Sequence, residues 1–275
     1  MTGRSPVVAE CPVAVVVVEG DDASNFLQGQ LSQDVAALDV GAGAPSLLLE
    51  PDGKLVALLG VLRLEPQCFE LWVHPGQRAE VETRLKRFLL RTKATIVVED
   101  GVVELGVDQP PVDHELRVEA AGRSWSLRRL DQPAAERVTG RAAFEHARCH
   151  AGIPWPLTEA TAGIIPGSLG ADVIDAAVSF TKGCYTGQEL VARVDARGGN
   201  VPFLLRRLRL GGPVVVGASV HRGDAQPLGQ LSTVSVLDGE VLGLALLHRN
   251  VEIGTVLVAE DASGVPVPVE VLGAP

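Results

Sequence analysis

Residues 182–189 read Lys182-Gly183-Cys184-Tyr185-Thr186-Gly187-Gln188-Glu189. Thr186 is followed three positions later by Glu189, and then by Leu190, Val191 and Val194. A Thr-x-x-Glu pattern ahead of an apolar run is a capping box, so the spacing predicts a helix with Thr186 as its N-cap. Tyr185 and Leu190 then take the two positions of a hydrophobic staple. Cys184 falls just outside the cap, near the positive end of the helix and beside Lys182. Both neighbours favour a thiolate, and such surroundings lower the usual thiol pKa of about 8.5 by a unit or more. Gly183 and Gly187 leave room on each flank for a ligand or another backbone. An isolated cysteine is more often a small buried filler. The glycine-flanked helix start is what favours a reactive, partly exposed thiol here. Arg193 lies about two helical turns beyond Thr186 on the same side, where it meets an anionic ligand or is simply solvated.

Upstream, β-branched Val13 to Val18 predicts a strand, and Gly20-Asp21-Asp22 leads into a helix from Ala23 to Leu31. Leu47–Leu49 and Leu55–Leu64 flank the turn Pro51-Asp52-Gly53 and predict a hairpin. Phe69–Val73 is a further strand. Val81, Leu85, Phe88 and Leu89 recur at helical spacing after Pro75-Gly76, and strands follow at Thr95–Val98 and Val102–Val107. Asp108-Gln109-Pro110-Pro111 makes a break. A weaker second pass follows, with strands at Leu116–Glu119 and Trp125–Leu130 and a helix from Ala134 to Ala151 stopped by Gly152. Beyond Asn200 the texture becomes short strands, at 204–210, 214–220, 228–237, 241–247, 255–258 and 265–272, punctuated by Gly, Pro and Asp238-Gly239. That spacing predicts a small β-barrel or sandwich.

The chain has 275 residues, of which 46% are hydrophobic but only 4% aromatic, so Val, Leu and Ala fill its core. A net charge of −10 argues against broad binding to nucleic acid or to membrane surfaces. The cations Arg84, Lys86, Arg87, Arg91 and Lys93 cluster, and so do Arg206, Arg207 and Arg209; in so acidic a chain both read as solvated faces. Cysteines occur at 11, 68, 149 and 184 without a CxxC pair, so no disulfide scaffold, zinc site or resident cluster is expected. The apolar run 13–18 is too short to span a membrane and no leader pattern precedes it, which points to a cytoplasmic protein.

The segment Phe180 to Arg193 resembles the signature of the YgfZ family, which is related to the aminomethyltransferase (T protein) of the glycine cleavage system. Phe26 to Asp34, Pro51 to Lys54, Arg87 to Lys93 and Arg148 to Pro154 are similar to further motifs of that family. The resemblance implies an α+β fold: two intertwined antiparallel-sheet/helix subdomains around a central channel, and a C-terminal β-barrel. The corresponding boundaries are 1–108, 109–200 (carrying the motif) and 201–275. It implies tetrahydrofolate or a derivative in the channel, and an accessory role in assembling or repairing iron–sulfur clusters of client proteins such as a tRNA methylthiolase. Cys184 would be the functional thiol. Lys182, Gly183, Tyr185, Gln188, Glu189, Arg193, His150, Gln30 and Asp34 would serve the folate. A monomer without direct nucleic-acid or membrane contact is expected.

Departures from the pattern qualify this expectation. His150 stands where the T protein has a glutamate facing the pterin. A carboxylate accepts two hydrogen bonds from an aminopyrimidine edge, a neutral imidazole one. Pro166-Gly167 and Val201-Pro202-Phe203 also depart from the family pattern, near the expected channel mouth. No residue matches the T protein's catalytic aspartate, although Asp34 and Asp52 are unassigned acids. The alternatives are a one-carbon transferase acting on a lipoyl carrier, which needs such an acid, and a folate-binding module without chemistry, which does not need Cys184.

Overall fold

The computed structural model describes residues 7–131, 140–154, 163–223, 226–260 and 262–273. Strand β1 (Val7–Glu19) is paired along its whole length with β5 (Thr95–Val107) and over its second half with β4 (Cys68–Val73). Alternation along it divides two cores. Ala9, Cys11, Val13 and Val15 enter one; Ala14, Val16 and Val18 enter the other. A pleated strand points successive side chains to opposite faces, so a nearly continuous Val run serves both.

The second core is covered by helices α1 (Ala23–Gln30), through Phe26 and Leu27, and α2 (Arg78–Arg87), through Val81 and Leu85. The first receives Phe144 and Ala151 of α3 (Arg141–Ala151), Ala177 of α4 (Ala171–Ala177) and Val191 of α5 (Gln188–Asp195).

The sheet closes into a seven-stranded barrel in the order β1-β4-β3-β2-β6-β7-β5, where β2 is Ala42–Leu49, β3 is Leu55–Glu65, β6 is Glu115–Ala120 and β7 is Arg123–Leu130. Strands from the second expected subdomain thus complete the barrel begun by the first, which is the intertwining that the fold class required. Closure rests on one short parallel pairing, Ala42 with Glu115 and Gly43 with Leu116. A Cβ at Gly43 would sit 3.1 Å from both the Leu116 Cβ and the Val61 carbonyl, so glycine permits the approach.

The remaining strands are β8 (Phe203–Leu210), β9 (Ser219–Val220), β10 (Gly229–Leu237), β11 (Glu240–His248), β12 (Val256–Glu260) and β13 (Pro266–Gly273). They form one sheet in the order β12-β13-β8-β11-β10-β9, almost closed by the bridge between His221 and Val258. Asp238 and Gly239, at φ 50° and 83°, make the tight turn between β10 and β11. Helix α3 joins the two bodies. Cys149 packs with Leu205, Leu242 and Leu244, and buried Arg148 donates to the Thr233 hydroxyl (2.9 Å), the Ile153 carbonyl (2.9 Å) and the Glu145 carboxylate (2.7 Å).

Several local expectations are corrected. Residues 95–107 form one strand rather than two, because β1 pairs with all of it. Of the strand expected over 214–220, only Ser219–Val220 is paired. The expected start of the helix at 134 lies outside the described residues, and α3 begins at Arg141. Its end is as read: Gly152 adopts φ 80° and its N–H returns to the Arg148 carbonyl. Helix α4 had no counterpart in the sequence reading.

Candidate functional site

Three segments far apart in the chain meet at residues 182–190. The first is the end of α1. The second is the turn between β2 and β3. The third is the start of α5.

Helix α5 begins at Gln188, and its N-cap is Gly187 at φ 84°, with no capping side chain. The expected capping box is therefore corrected. The Thr186 N–H (3.0 Å) and its hydroxyl (3.4 Å) both donate to the Gly29 carbonyl of α1 instead of to the helix that follows. Glu189 does not reach back either; it pairs with Arg193 at 2.7 Å on the exposed face. The reaching arm belongs to Gln188, whose Oε1 accepts from the Tyr185 N–H at 3.1 Å. The helix start moves on by one residue, while the reach-back pair lies one residue earlier than expected. Tyr185 joins the first core together with Val191, and burial pushes its hydroxyl pKa up to about 12.

The physical reason for the shift is contact with the β2–β3 turn. A Cβ at Gly187 would lie 2.5 Å from the Glu50 carbonyl oxygen and 2.8 Å from the Leu49 Cβ. Opposite it, Gly53 adopts φ 85°, and a Cβ there would lie 2.9 Å from the Gly187 carbonyl oxygen. Each glycine makes room for the other's backbone.

Lys182 is half-buried. Its ammonium donates to the carbonyls of Gln28 (2.7 Å), Leu31 (2.8 Å) and Gln33 (2.8 Å) and lies 5.2 Å from the centre of the Tyr185 ring. Burial lowers its pKa to about 8, against the opposing charge of Asp34. Asp34 accepts from the Gln28 side chain at 2.8 Å, and the buried Gln30 accepts from Arg84 at 3.0 Å. Arg84 also donates to the Leu49 carbonyl (3.0 Å) and stacks 4.2 Å from the Phe88 ring centre. This buried arginine ties α2 to α1 and to the β2–β3 turn. Its charge pattern alone predicts a solvated basic cluster; its helical spacing beside the buried Val81 and Leu85 is the signal that places it inside.

Gly183 and Cys184 are exposed, and nothing lies within 4 Å of a Cβ built at Gly183. None of the four cysteines is in a disulfide; Cys11 and Cys149 are buried, Cys68 is intermediate and Cys184 is exposed. Burial raises the thiol pKa of Cys11 and Cys68. Of the expected site residues, Lys182 and Tyr185 flank Cys184 on a loop held to the end of α1, Gln188 bonds back to Tyr185, Gln30 is turned to Arg84 and Asp34 to Gln28, and Glu189 and Arg193 pair on the outer face of α5.

His150 belongs elsewhere. It lines a cleft of about 500 Å³ between α3 and the C-terminal sheet, with Arg123, His146, Arg207 and Glu240. Arg207 donates to the His150 carbonyl at 2.8 Å, and His146 pairs with Glu240 at 3.1 Å. Ala151 lines both this cleft and an apolar cavity of about 50 Å³ walled by Trp125, Phe144 and Leu116. Among the described residues no cluster of three or more His, Cys, Asp or Glu is arranged to hold a metal ion. Nor is any described helix long and apolar enough to cross a membrane.

Comparison with known proteins places this arrangement. No family model matches the chain. It is 30% identical over 190 residues to an uncharacterized protein of Haemophilus influenzae, covering 68% of this chain and 67% of the relative. It is 30% identical over 221 residues to the tRNA-modifying protein YgfZ of Enterobacter sp. (strain 638), covering 68% and 67%. The tRNA-modifying protein YgfZ of Yersinia enterocolitica is 27% identical over 298 residues, covering 92% of this chain and 87% of the relative. Among solved structures, the glycine cleavage system aminomethyltransferase T of Bartonella henselae superposes with a TM-score of 0.71 over 97% of this chain and 85% of that one. At 14% identity that likeness shows the fold. On the extent and level of the sequence matches, the chain belongs to the YgfZ family.

Proposed function

We propose that this protein is a tetrahydrofolate-dependent accessory protein for iron–sulfur cluster assembly or repair, with Cys184 as its functional thiol and a tRNA methylthiolase among its clients. The observation that carries the reading is the contrast among the cysteines. Three are wholly or partly withdrawn from solvent, while Cys184 stands exposed on a loop fastened to α1 and to the β2–β3 turn. Relatives carrying the name tRNA-modifying protein support the tRNA end of the reading. The same reading places the protein in the cytoplasm and divides it at residues 108 and 200.

The cleft beside His150 suits a folate. Its volume of about 500 Å³ is within the range of small-molecule sites, roughly 300–1,000 Å³. Arg123, paired with Asp108, and Arg207, bonded to the His150 carbonyl, would share their donors with a carboxylate tail, and Glu240, paired with His146, would do the same for an aminopyrimidine edge. When bound, tetrahydrofolate supplies a one-carbon carrier and a reductant. The aminomethyl-transfer alternative needs a free acid at the one-carbon unit. Asp34 is held by Gln28 and Asp52 by Lys54, which favours the accessory role.

The test uses a bacterial host deleted for its own YgfZ relative, with methylthiolated adenosine in tRNA measured by mass spectrometry. Wild-type protein restores the modification, and Cys184→Ser does not. Full restoration by Cys184→Ser refutes the thiol. Titration of tetrahydrofolate into wild type and His150→Glu tests the cofactor, and absence of binding to both removes it.

A further inference from the structure

An α-helix leaves the carbonyls of its last turn without partners inside the helix. In α1 those partners come from about 150 residues away. The Gln28 carbonyl takes Lys182, the Gly29 carbonyl takes Thr186 twice, and the Leu31 and Gln33 carbonyls just beyond take Lys182 again. A lysine ammonium has three N–H donors and no acceptor. All three donors of Lys182 are taken, at 2.7, 2.8 and 2.8 Å. No donor is left for a ligand or for the Cys184 sulfur unless one of these bonds breaks.

We infer that Lys182 is a positioning residue whose ammonium caps the carbonyl end of α1 and thereby moors the Cys184 loop. A cation suits this place because the carbonyl end of a helix carries partial negative charge. Lysine suits it better than arginine, since a compact ammonium can meet three converging carbonyls, whereas a planar guanidinium fans its donors apart. Asp34 and the Tyr185 ring are the other polar or π-rich groups facing the ammonium, and neither displaces the carbonyls. With Lys182 on one side of Cys184 and Thr186 on the other, both fastened to the end of α1, the thiol is held at two points.

The functional weight of this mooring rests on the reading of Cys184 as the working thiol; the mooring itself is tested without folate or a client. Amide hydrogen exchange of the peptide spanning residues 180–190 is measured by mass spectrometry at pH 7 on the full chain. In Lys182→Ala that peptide exchanges at least tenfold faster than in wild type, while peptides from β8 to β13 are unchanged. Propylammonium chloride added to Lys182→Ala refills the carbonyl cage and restores slow exchange in a saturable manner. Sodium chloride at equal ionic strength does not. Lys182→Met retains the apolar stem in case the alanine variant folds poorly, and it gives the same acceleration; Lys182→Arg, which keeps the charge, does not restore protection. Wild-type exchange in the methionine variant overturns the inference. So does equal restoration by propylammonium and sodium chloride, or full protection in the arginine variant. Loss of tetrahydrofolate binding with an unaltered loop would make Lys182 a ligand residue instead.

Discussion

Gly187→Ala perturbs the crossing of the Cys184 loop and the β2–β3 turn at its tightest point. Two costs combine. Residue 187 sits at φ 84°, in the left-handed region, where a non-glycine residue pays about 1–2 kcal/mol. The new methyl also arrives 2.5 Å from the Glu50 carbonyl oxygen, 2.8 Å from the Leu49 Cβ and 3.2 Å from the Gly53 Cα. Two of these three neighbours are backbone atoms, which cannot swing away, and overpacking of this kind costs about 1–3 kcal/mol. Together the loss is about 2–5 kcal/mol. Gly183→Ala is the control four residues away. Nothing lies within 4 Å of its Cβ, its φ is outside the left-handed region, and the expected change is under about 0.5 kcal/mol. The assay is urea unfolding followed by far-ultraviolet circular dichroism, with both variants referred to the wild-type midpoint. A Gly187→Ala midpoint equal to wild type, or an equal loss in Gly183→Ala, refutes the crossing as the feature that sets the start of α5.

Two further outcomes follow from polar groups, one buried and one half-exposed. Arg148→Met removes the guanidinium that joins Glu145, Ile153 and Thr233; Glu145 keeps Arg141 at 3.0 Å, so the cost is that of the lost hydrogen bonds to a charged group, roughly 1.5–3 kcal/mol, measurable as a lowered denaturation midpoint. His74 accepts a hydrogen bond at Nδ1 from the Gly76 N–H at 3.2 Å, and its pKa is lowered by burial and by the charge of Arg141. The unfolded chain then takes up the proton first, so stability that is full above about pH 6.5 falls as the pH drops below it. His74→Asn keeps an acceptor that does not titrate, and the difference in melting temperature between pH 7 and pH 5 shrinks.

The sequence by itself determined the elements whose chemistry is local. The Val run of β1, the Pro-Asp-Gly turn, the Asp-Gly turn at 238–239 and the glycine stop at Gly152 are where the pattern put them, since propensity and turn geometry act over a few residues. It also marked the stretch from Lys182 to Glu189 as the place to look. What it could not give was where that stretch sends its hydrogen bonds. The Thr-x-x-Glu pattern is a local signal, and a stronger distant one overrides it: the open carbonyls of α1 draw Thr186 and Lys182, and the backbone of Glu50 requires glycine at 187. The helix start therefore moves by one residue. For the same reason the conversion of Lys182 from a neighbour of the thiol into a cap for α1 is invisible in the sequence, while that of Arg84 from a surface cation into a buried tie shows only as its helical spacing beside Val81 and Leu85. A donor's partner is decided by which orphaned acceptor the fold brings within about 3 Å, and that is a property of the closed barrel and its helices rather than of any window of residues.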